Sequence, residues 1–391
     1  MRFSPAANFR YDVPMATGIF TAHSDAADTV AAVAECRSQL PTEQAEFVLL
    51  LHGPNHTGDV LERELAALTD TPVYGCSTSG EIIPAGYREN SMSAICFSEE
   101  HFTCVARSID GLGEFGFRQA NQLVTSMQSD LRQRAPAANP SNTFALLLID
   151  STSRAEEFVA AALGSELGNV HLMGGSAGDN WQLDSTPVLF EGRSRHDCAV
   201  LLLVHSTLPF SHHNFHNFVP TDRRGVITSA TASERLVHTI NGAPAMAEFA
   251  RLCDMQPDEL DREHLAVHPA IITVGDRAYP RGFTEILEDG SLRSACAIDE
   301  GVVFRVAAQV DYVEQMEGAL NRIQNELASP IIVLAFECAA RKQMVEQYKL
   351  QDQVSQLFTE FNVWGFSCMG EQANSLNMNN SFNCLAFALP A

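Results

Sequence analysis

Basic residues are scarce in this chain. Only 25 Lys and Arg stand against 48 Asp and Glu over 391 residues, a formal net charge of -23. Such an acidic surface repels phosphate backbones and anionic lipid, so no nucleic acid and no membrane is expected as a partner. Long hydrophobic runs are missing too, since no segment approaches the ~18 uninterrupted apolar residues of a membrane span. The opening residues Met1–Asn8 lack the apolar core of a secretory signal, and a cytoplasmic location is expected. Ten Cys occur, yet none as CxxC or CxxCH. A structural zinc site or covalently attached haem therefore has no support. Cys96, Cys198 and Cys384 lie inside apolar runs and read as reduced, buried thiols. The phosphate loop GxxxxGK[ST] and the HExxH zinc signature are also absent, and Gly75-Cys-Ser-Thr-Ser-Gly80 is not a GxSxG elbow, which would need Gly at the position of Ser79.

What the chain does have is a repeat. Val73-Tyr-Gly-Cys-Ser-Thr-Ser-Gly-Glu81 and Val363-Trp-Gly-Phe-Ser-Cys-Met-Gly-Glu371 share Val, aromatic, Gly, Ser, Gly and Glu at identical offsets. The match extends to Asn90-Ser91 against Asn380-Ser381 without a gap. A shorter version is Met173-Gly-Gly-Ser-Ala-Gly-Asp179. Around each copy the pattern reads strand, helix, buried strand, helix, strand, glycine turn, strand, which is α/β by alternation. The buried strands are the apolar runs Phe47–Leu51, Phe144–Ile149 and Ile331–Phe336. The third copy is expected to begin at Val302–Ala307, with a long helix over Ala339–Phe361. Mixed sheets built from internally repeated strand-helix units are expected. The chain divides into 1–205 with two repeats, a connecting lobe over 206–300, and 301–391 with the third.

Glycine at both ends of such a turn allows positive φ and close approach, while Ser and backbone N–H groups bind anions or carbonyls. Ser77, Glu81, Ser176, Asp179, Ser367 and Glu371 are therefore candidates for lining a pocket, against the plainer reading of a tight β-connection. The stretch from His205 into the connecting lobe concentrates histidine, with His205, His212, His213 and His216 interleaved with Phe210, Phe215 and Phe218. One such imidazole flanked by aromatics suits a haem axial ligand or metal ligand: His216 first, then His268 and His212. His238 is a further candidate, and each is more often a satisfied structural histidine. No enzyme is expected. Cys76 has no identifiable His partner, and Glu156 and Glu157, adjacent on a helix, point in different directions.

Tyr74–Ile82, Met173–Asp179, Ile240-Asn-Gly-Ala-Pro-Ala245 and Trp364–Glu371, in that order, resemble the FIST sensory domain, with its N- and C-terminal modules covering almost the whole chain. Phe218–Thr221, Ala297–Gly301 and Phe336–Arg341 are most similar to the stand-alone nitric-oxide-sensing group called NosP. That resemblance implies non-covalent haem b, nitric oxide as ligand, and a separate partner, a histidine kinase or cyclic-di-GMP enzyme, through which biofilm behaviour is regulated. It also implies the alternative of a haem-free module for an amino-acid-like metabolite. The chain departs from the group at Asn377, where relatives often carry His, and at Glu337, where Asp is expected.

Overall fold

The computed structural model describes residues 18–389 except 68–70, 183 and 275–276, so the expectation for Met1–Asn8 lies outside the described residues. The described residues are mixed α/β, with four sheets. Three of them have the same plan. In the first, Ile19–Ser24, Met92–Ser98, Ala45–His52 and Val73–Ser77 lie side by side, and the last two are parallel. The second repeats this with Phe102–Asp110, Cys198–Ser206, Thr143–Ile149 and His171–Ser176. The third uses Phe210–Phe215, Phe382–Ala388, Ile331–Cys338 and Val363–Cys368.

Each sheet is completed by a hairpin from another unit. The hairpin after the first glycine turn, Glu81–Ile83 with Gly86–Arg88, pairs with Val363–Cys368 of the third sheet. The hairpin after the third turn, Glu371–Ala373 with Leu376–Met378, pairs with His171–Ser176 of the second. The second unit's hairpin, Val188–Phe190 with Arg193–Arg195, pairs with Val73–Ser77 of the first. The exchange closes into a ring of three, so no unit completes its sheet alone.

The central strands are apolar on both faces because both faces are covered. Phe47, Leu49, Leu51, Phe144, Leu146, Leu148, Leu334 and Phe336 face a common core between the three sheets. The alternate residues Val48 and Leu50, Leu147 and Ile149, or Val333 and Ala335 pack under each unit's own helices. Gly75, Gly174 and Gly365 are equivalent, and a Cβ there would lie 1.8, 2.0 and 1.9 Å from the carbonyl oxygens of Leu50, Leu147 and Ala335. Only glycine lets the paired strands approach so closely.

Strand pairing fixes where the units begin, and the third begins elsewhere than expected. Phe102–Asp110 belongs to the second unit, because it pairs with Cys198–Ser206 rather than within the first sheet. The third unit starts at Phe210–Phe215, which pairs with Phe382–Ala388, and not at Val302–Ala307. Val303–Gln309 pairs instead with Phe218–Thr231 and Ala270–Val274 in the fourth sheet. The lobe is thus inserted between the first strand of the third unit and its helix Tyr312–Leu327. It carries its own core, where Ile227, Val237, Phe249, Leu265, Phe283 and Phe304 meet. The long helix expected over Ala339–Phe361 is two, Ala339–Gln347 and Gln351–Glu360, separated at Lys349 with φ 56°.

Candidate functional site

The three glycine turns meet. Ser79 N–H donates to Ser367 C=O (2.9 Å), Gly178 N–H to Ser77 C=O (3.0 Å) and Met369 N–H to Ser176 C=O (3.2 Å). In the return direction Ser367 N–H donates to Gly80 C=O and Ser176 N–H to Gly370 C=O, at 2.7 and 2.8 Å. The second turn breaks the symmetry, since Ser77 N–H reaches Pro187 C=O instead of Asp179. The backbone polar groups of the turns are spent on one another, as burial requires. The turns therefore seal the axis between the units and do not wall a common pocket there.

The serine side chains diverge from that ring. Ser77 continues the face of Val73 and Gly75, which looks at the first unit's helices, and the parallel register sets it beside His52. Ser176 is set beside Ile149 and Ser367 beside Glu337 in the same way. The turns thus open onto three equivalent niches, each at the carboxyl ends of parallel strands, where α/β sheets place ligands. All three serines are fully buried.

The niches differ in content. In the first, His52 donates Nδ1–H to Gly53 C=O (3.0 Å), while its Nε2 and Ser77 Oγ have no partner among the described residues. Burial lowers the His52 imidazole to about 4, so it is neutral. In the third, Glu337 accepts from Tyr87 and Tyr312 hydroxyls (both 2.6 Å) and from Arg341 Nε (3.1 Å), and Arg341 also donates to Asn217 Oδ1 (2.7 Å). The Arg341 guanidinium stacks 4.3 Å from the centre of the Tyr312 ring. That network is saturated, apart from Ser367 Oγ.

The second niche is where the inserted lobe meets the units. Gln372 Nε2 donates to Ser176 Oγ and Asn377 Oδ1, both at 2.8 Å. Its Oε1, fully buried, has no partner among the described residues. Asn377 Nδ2 donates to Glu157 Oε1 (3.2 Å). From the lobe, Arg235 clamps Glu156 (2.6 Å) and Glu157 (3.0 Å), and Ala297 N–H donates to Glu157 (2.7 Å). Arg281, also from the lobe, donates to Asn377 C=O (2.6 Å). Buried Cys296 senses all four charges, Arg281, Glu157, Arg235 and Glu156, with desolvation dominant and its thiol pushed up to about 11. Desolvation also raises Glu156 to about 7, against the pull of Arg235.

The expected acidic residues are structural pins at the turn ends. Glu81 accepts from Thr78 Oγ1 (2.5 Å) and Ser91 Oγ (2.5 Å), and Glu371 accepts from Ser381 Oγ (2.7 Å) and Ser381 N–H (3.1 Å). Burial drives them up to about 7 and about 8. Asp179 instead accepts from Asp184 and Ser185 N–H groups at 2.8 and 3.2 Å, closing its own longer loop.

The haem candidates differ in fit. His216 Nε2–H donates to Ala278 C=O (3.1 Å) and its Nδ1 accepts from Phe218 N–H (3.3 Å), so neither nitrogen is open to iron. His212 stacks on His171 with ring centres 3.4 Å apart. His268 donates Nδ1–H to Ala307 C=O (3.4 Å) and makes no Nε2 hydrogen bond to the described residues. A backbone carbonyl on one nitrogen with the other open is the tautomer that suits a metal, so His268 fits where His216 does not. His238 is bonded to Thr231 and Ser291, at 2.9 and 3.0 Å. Among the described residues, no group of three or more His, Cys, Asp or Glu is placed to hold a metal ion. Cys76 is fully buried with its thiol raised, the opposite of an activated nucleophile.

His52, Glu337, Arg341, Gln372 and Arg281 were not foreseen. For His52 and Glu337 a signal existed: each follows the apolar run of its repeat directly and pairs with the turn serine, His52 with Ser77 and Glu337 with Ser367. Gln372 and Arg281 carry no such mark, because a hairpin exchange and an inserted lobe bring them in.

No helix of the described residues is long and apolar enough to cross a membrane. Among known proteins, an uncharacterized protein of Methanocaldococcus jannaschii is 22% identical over a 337-residue alignment that covers 76% of this chain and 64% of that protein. Of solved structures, a chorismatase is similar at 9% identity and TM-score 0.35, over 94% of this chain and 98% of that one. A cyanuric acid hydrolase is similar at 8% identity and TM-score 0.38, over 95% and 98%. The FIST N domain model matches residues 15–243 and the FIST C domain model residues 245–374, so the chain belongs to the FIST family of sensory domains.

Proposed function

We propose that this sensory domain takes a small polar metabolite, amino-acid-like in size, in the second niche between the inserted lobe and the three-unit body. One observation carries this. Gln372 Oε1 is an acceptor buried without a partner among the described residues, inside a niche otherwise built of charged and amide groups. An orphan acceptor at such depth costs about 1–3 kcal/mol, and a ligand donor removes that cost. The lobe is tied down across the niche by the Arg235 clamp on Glu156 and Glu157, so a ligand there alters how lobe and body are joined. The signal passes to a separate protein, a histidine kinase or cyclic-di-GMP enzyme, the kind of partner that the family resemblance implies.

A thermal-shift screen against free amino acids and related metabolites tests the reading. A ligand at 100 times its Kd stabilises by about 2.7 kcal/mol. Gln372→Leu, which fills the volume without the donor and acceptor, abolishes that shift. A panel with no stabilising member refutes the proposal.

A second reading, a cytoplasmic haem b sensor of nitric oxide, is favoured by the geometry of His268. Haem held by its Nε2 would supply an iron with a sixth position for the gas. The protein mixed with haem is then expected to show a Soret band that moves with nitric oxide and is lost in His268→Ala. An unchanged haem spectrum in the presence of protein removes this reading.

A further inference from the structure

We infer that Arg281 is the anchor for a carboxylate, so that the ligand of the second niche is a small carboxylic acid that also carries a hydrogen-bond donor. This rests on the small-ligand reading above.

The argument starts from charge supply. The chain holds 48 acidic side chains for 25 basic ones, so a guanidinium that leaves solvent has carboxylates at hand. The described arginines that are buried or half-buried use them: Arg88, Arg107, Arg195, Arg235, Arg293, Arg305 and Arg341 each have a carboxylate within 4.0 Å. Arg281 is the exception in that class. It is half-buried, its one hydrogen bond among the described residues runs to the Asn377 carbonyl at 2.6 Å, and its Nε is buried with no partner among them. A desolvated guanidinium without an anion is costly, whereas one fork donor left open is the arrangement that receives a carboxylate side-on.

Acceptors lie close by. Gly282, next in the chain, lies against Asn380, 3.1 Å separating a Cβ there from Nδ2. Asn379 and Asn380 are 2% exposed, and the Oδ1 of each lacks a partner among the described residues. Asn379 Nδ2 donates to Met369 C=O (3.4 Å), which fixes its Oδ1 as the outward acceptor. An open cationic donor close to buried amide oxygens without partners selects a molecule with both a carboxylate and a hydroxyl or ammonium group. A plain amide or ester satisfies only half of it.

Titration calorimetry of the full chain with glycine, L-lactate and L-serine, each beside its primary amide, tests the inference. At least one acid is expected to bind at least tenfold more tightly than its amide. Arg281→Gln should weaken the acid at least tenfold and leave the amide unchanged, with Arg281→Lys intermediate because it keeps charge without the planar fork. Equal affinity for acid and amide, or an acid unaffected by Arg281→Gln, overturns the Arg281 assignment alone. Stabilisation by other polar metabolites with none of these acids binding also overturns it, while leaving the small-ligand reading in place. No binding of any probe in either assay removes both. Far-UV spectra and the melting temperature of Arg281→Gln separate a lost anchor from a lost fold.

Discussion

Replacing Glu371 by Gln should make the protein more stable at alkaline pH and leave it unchanged in acid. Glu371 is fully buried at the end of the third glycine turn, and its partners are the Ser381 hydroxyl and N–H and the Cys368 thiol. Desolvation outweighs those hydrogen bonds and lifts its titration to about 8. In the unfolded chain the same carboxyl titrates near ~4.3. The folded-state value is raised, so below the unfolded value both states are protonated and the group contributes nothing. As pH climbs from there, the unfolded chain ionises while the folded one cannot, and each pH unit costs the fold roughly 1.4 kcal/mol until the folded carboxyl ionises too. The full penalty is about 3–5 kcal/mol at pH 8 and above. Gln keeps the size and the acceptor for Ser381 but cannot ionise. For a chain of this length an unfolding entropy of roughly 0.8 kcal/mol/K converts the gain to about 4–6 °C in Tm. Calorimetric melts of wild type and Glu371→Gln from pH 4.5 to 9 supply the curve. The two should coincide at the acid end and separate steadily upward. A variant less stable than wild type at pH 8.5, or a constant offset at all pH values, would refute the reasoning.

Three further outcomes follow from the same geometry. Glu81→Gln should show the same divergence with a smaller amplitude, because Glu81 titrates at about 7 rather than about 8; a larger effect than Glu371→Gln in the same melts contradicts it. Arg341→Met should lose about 3–5 kcal/mol in urea unfolding, since it strands the Glu337 carboxylate at 0% exposure between two tyrosines; a loss below 1 kcal/mol would mean the network is not a buried ion pair in solution. Gly174→Ala should cost about 3 kcal/mol or more, because its Cβ meets the Leu147 carbonyl at 2.0 Å, whereas Gly113→Ala, with nothing within 4 Å, should be neutral in the same assay.

Much of the secondary structure could be read from the chain itself. Phe47–Leu51, Phe144–Ile149 and Ile331–Phe336 are buried strands, as their unbroken apolar character required. The glycine turns are where the repeat placed them, and their glycines are needed for the reason the repeat implied, close backbone approach. The candidate site was less legible. Ser77, Ser176 and Ser367 were expected to face one pocket, yet strand alternation turns each toward its own helices while only their backbones meet. The histidines are dense in the sequence, but His216 is consumed by backbone partners that lie 62 residues away and two residues away.

Local pattern alone therefore determined that this is an α/β chain of three similar units interrupted by a different lobe, because period, apolar runs and glycine spacing act within ten or twenty residues. Tertiary structure decided which hairpin completes which sheet, that the lobe is nested inside the third unit, and that Gln372, Asn377 and Arg281 converge beside Glu157. Those choices depend on pairings such as Glu371 with Gly175 and on a bond from Arg281 to Asn377, made across long stretches of chain. Such contacts are selected by burial and by the need to satisfy every backbone group at a sheet edge. Neither leaves a mark on neighbouring residues, and so the niche that the lobe closes was invisible until the chain was folded.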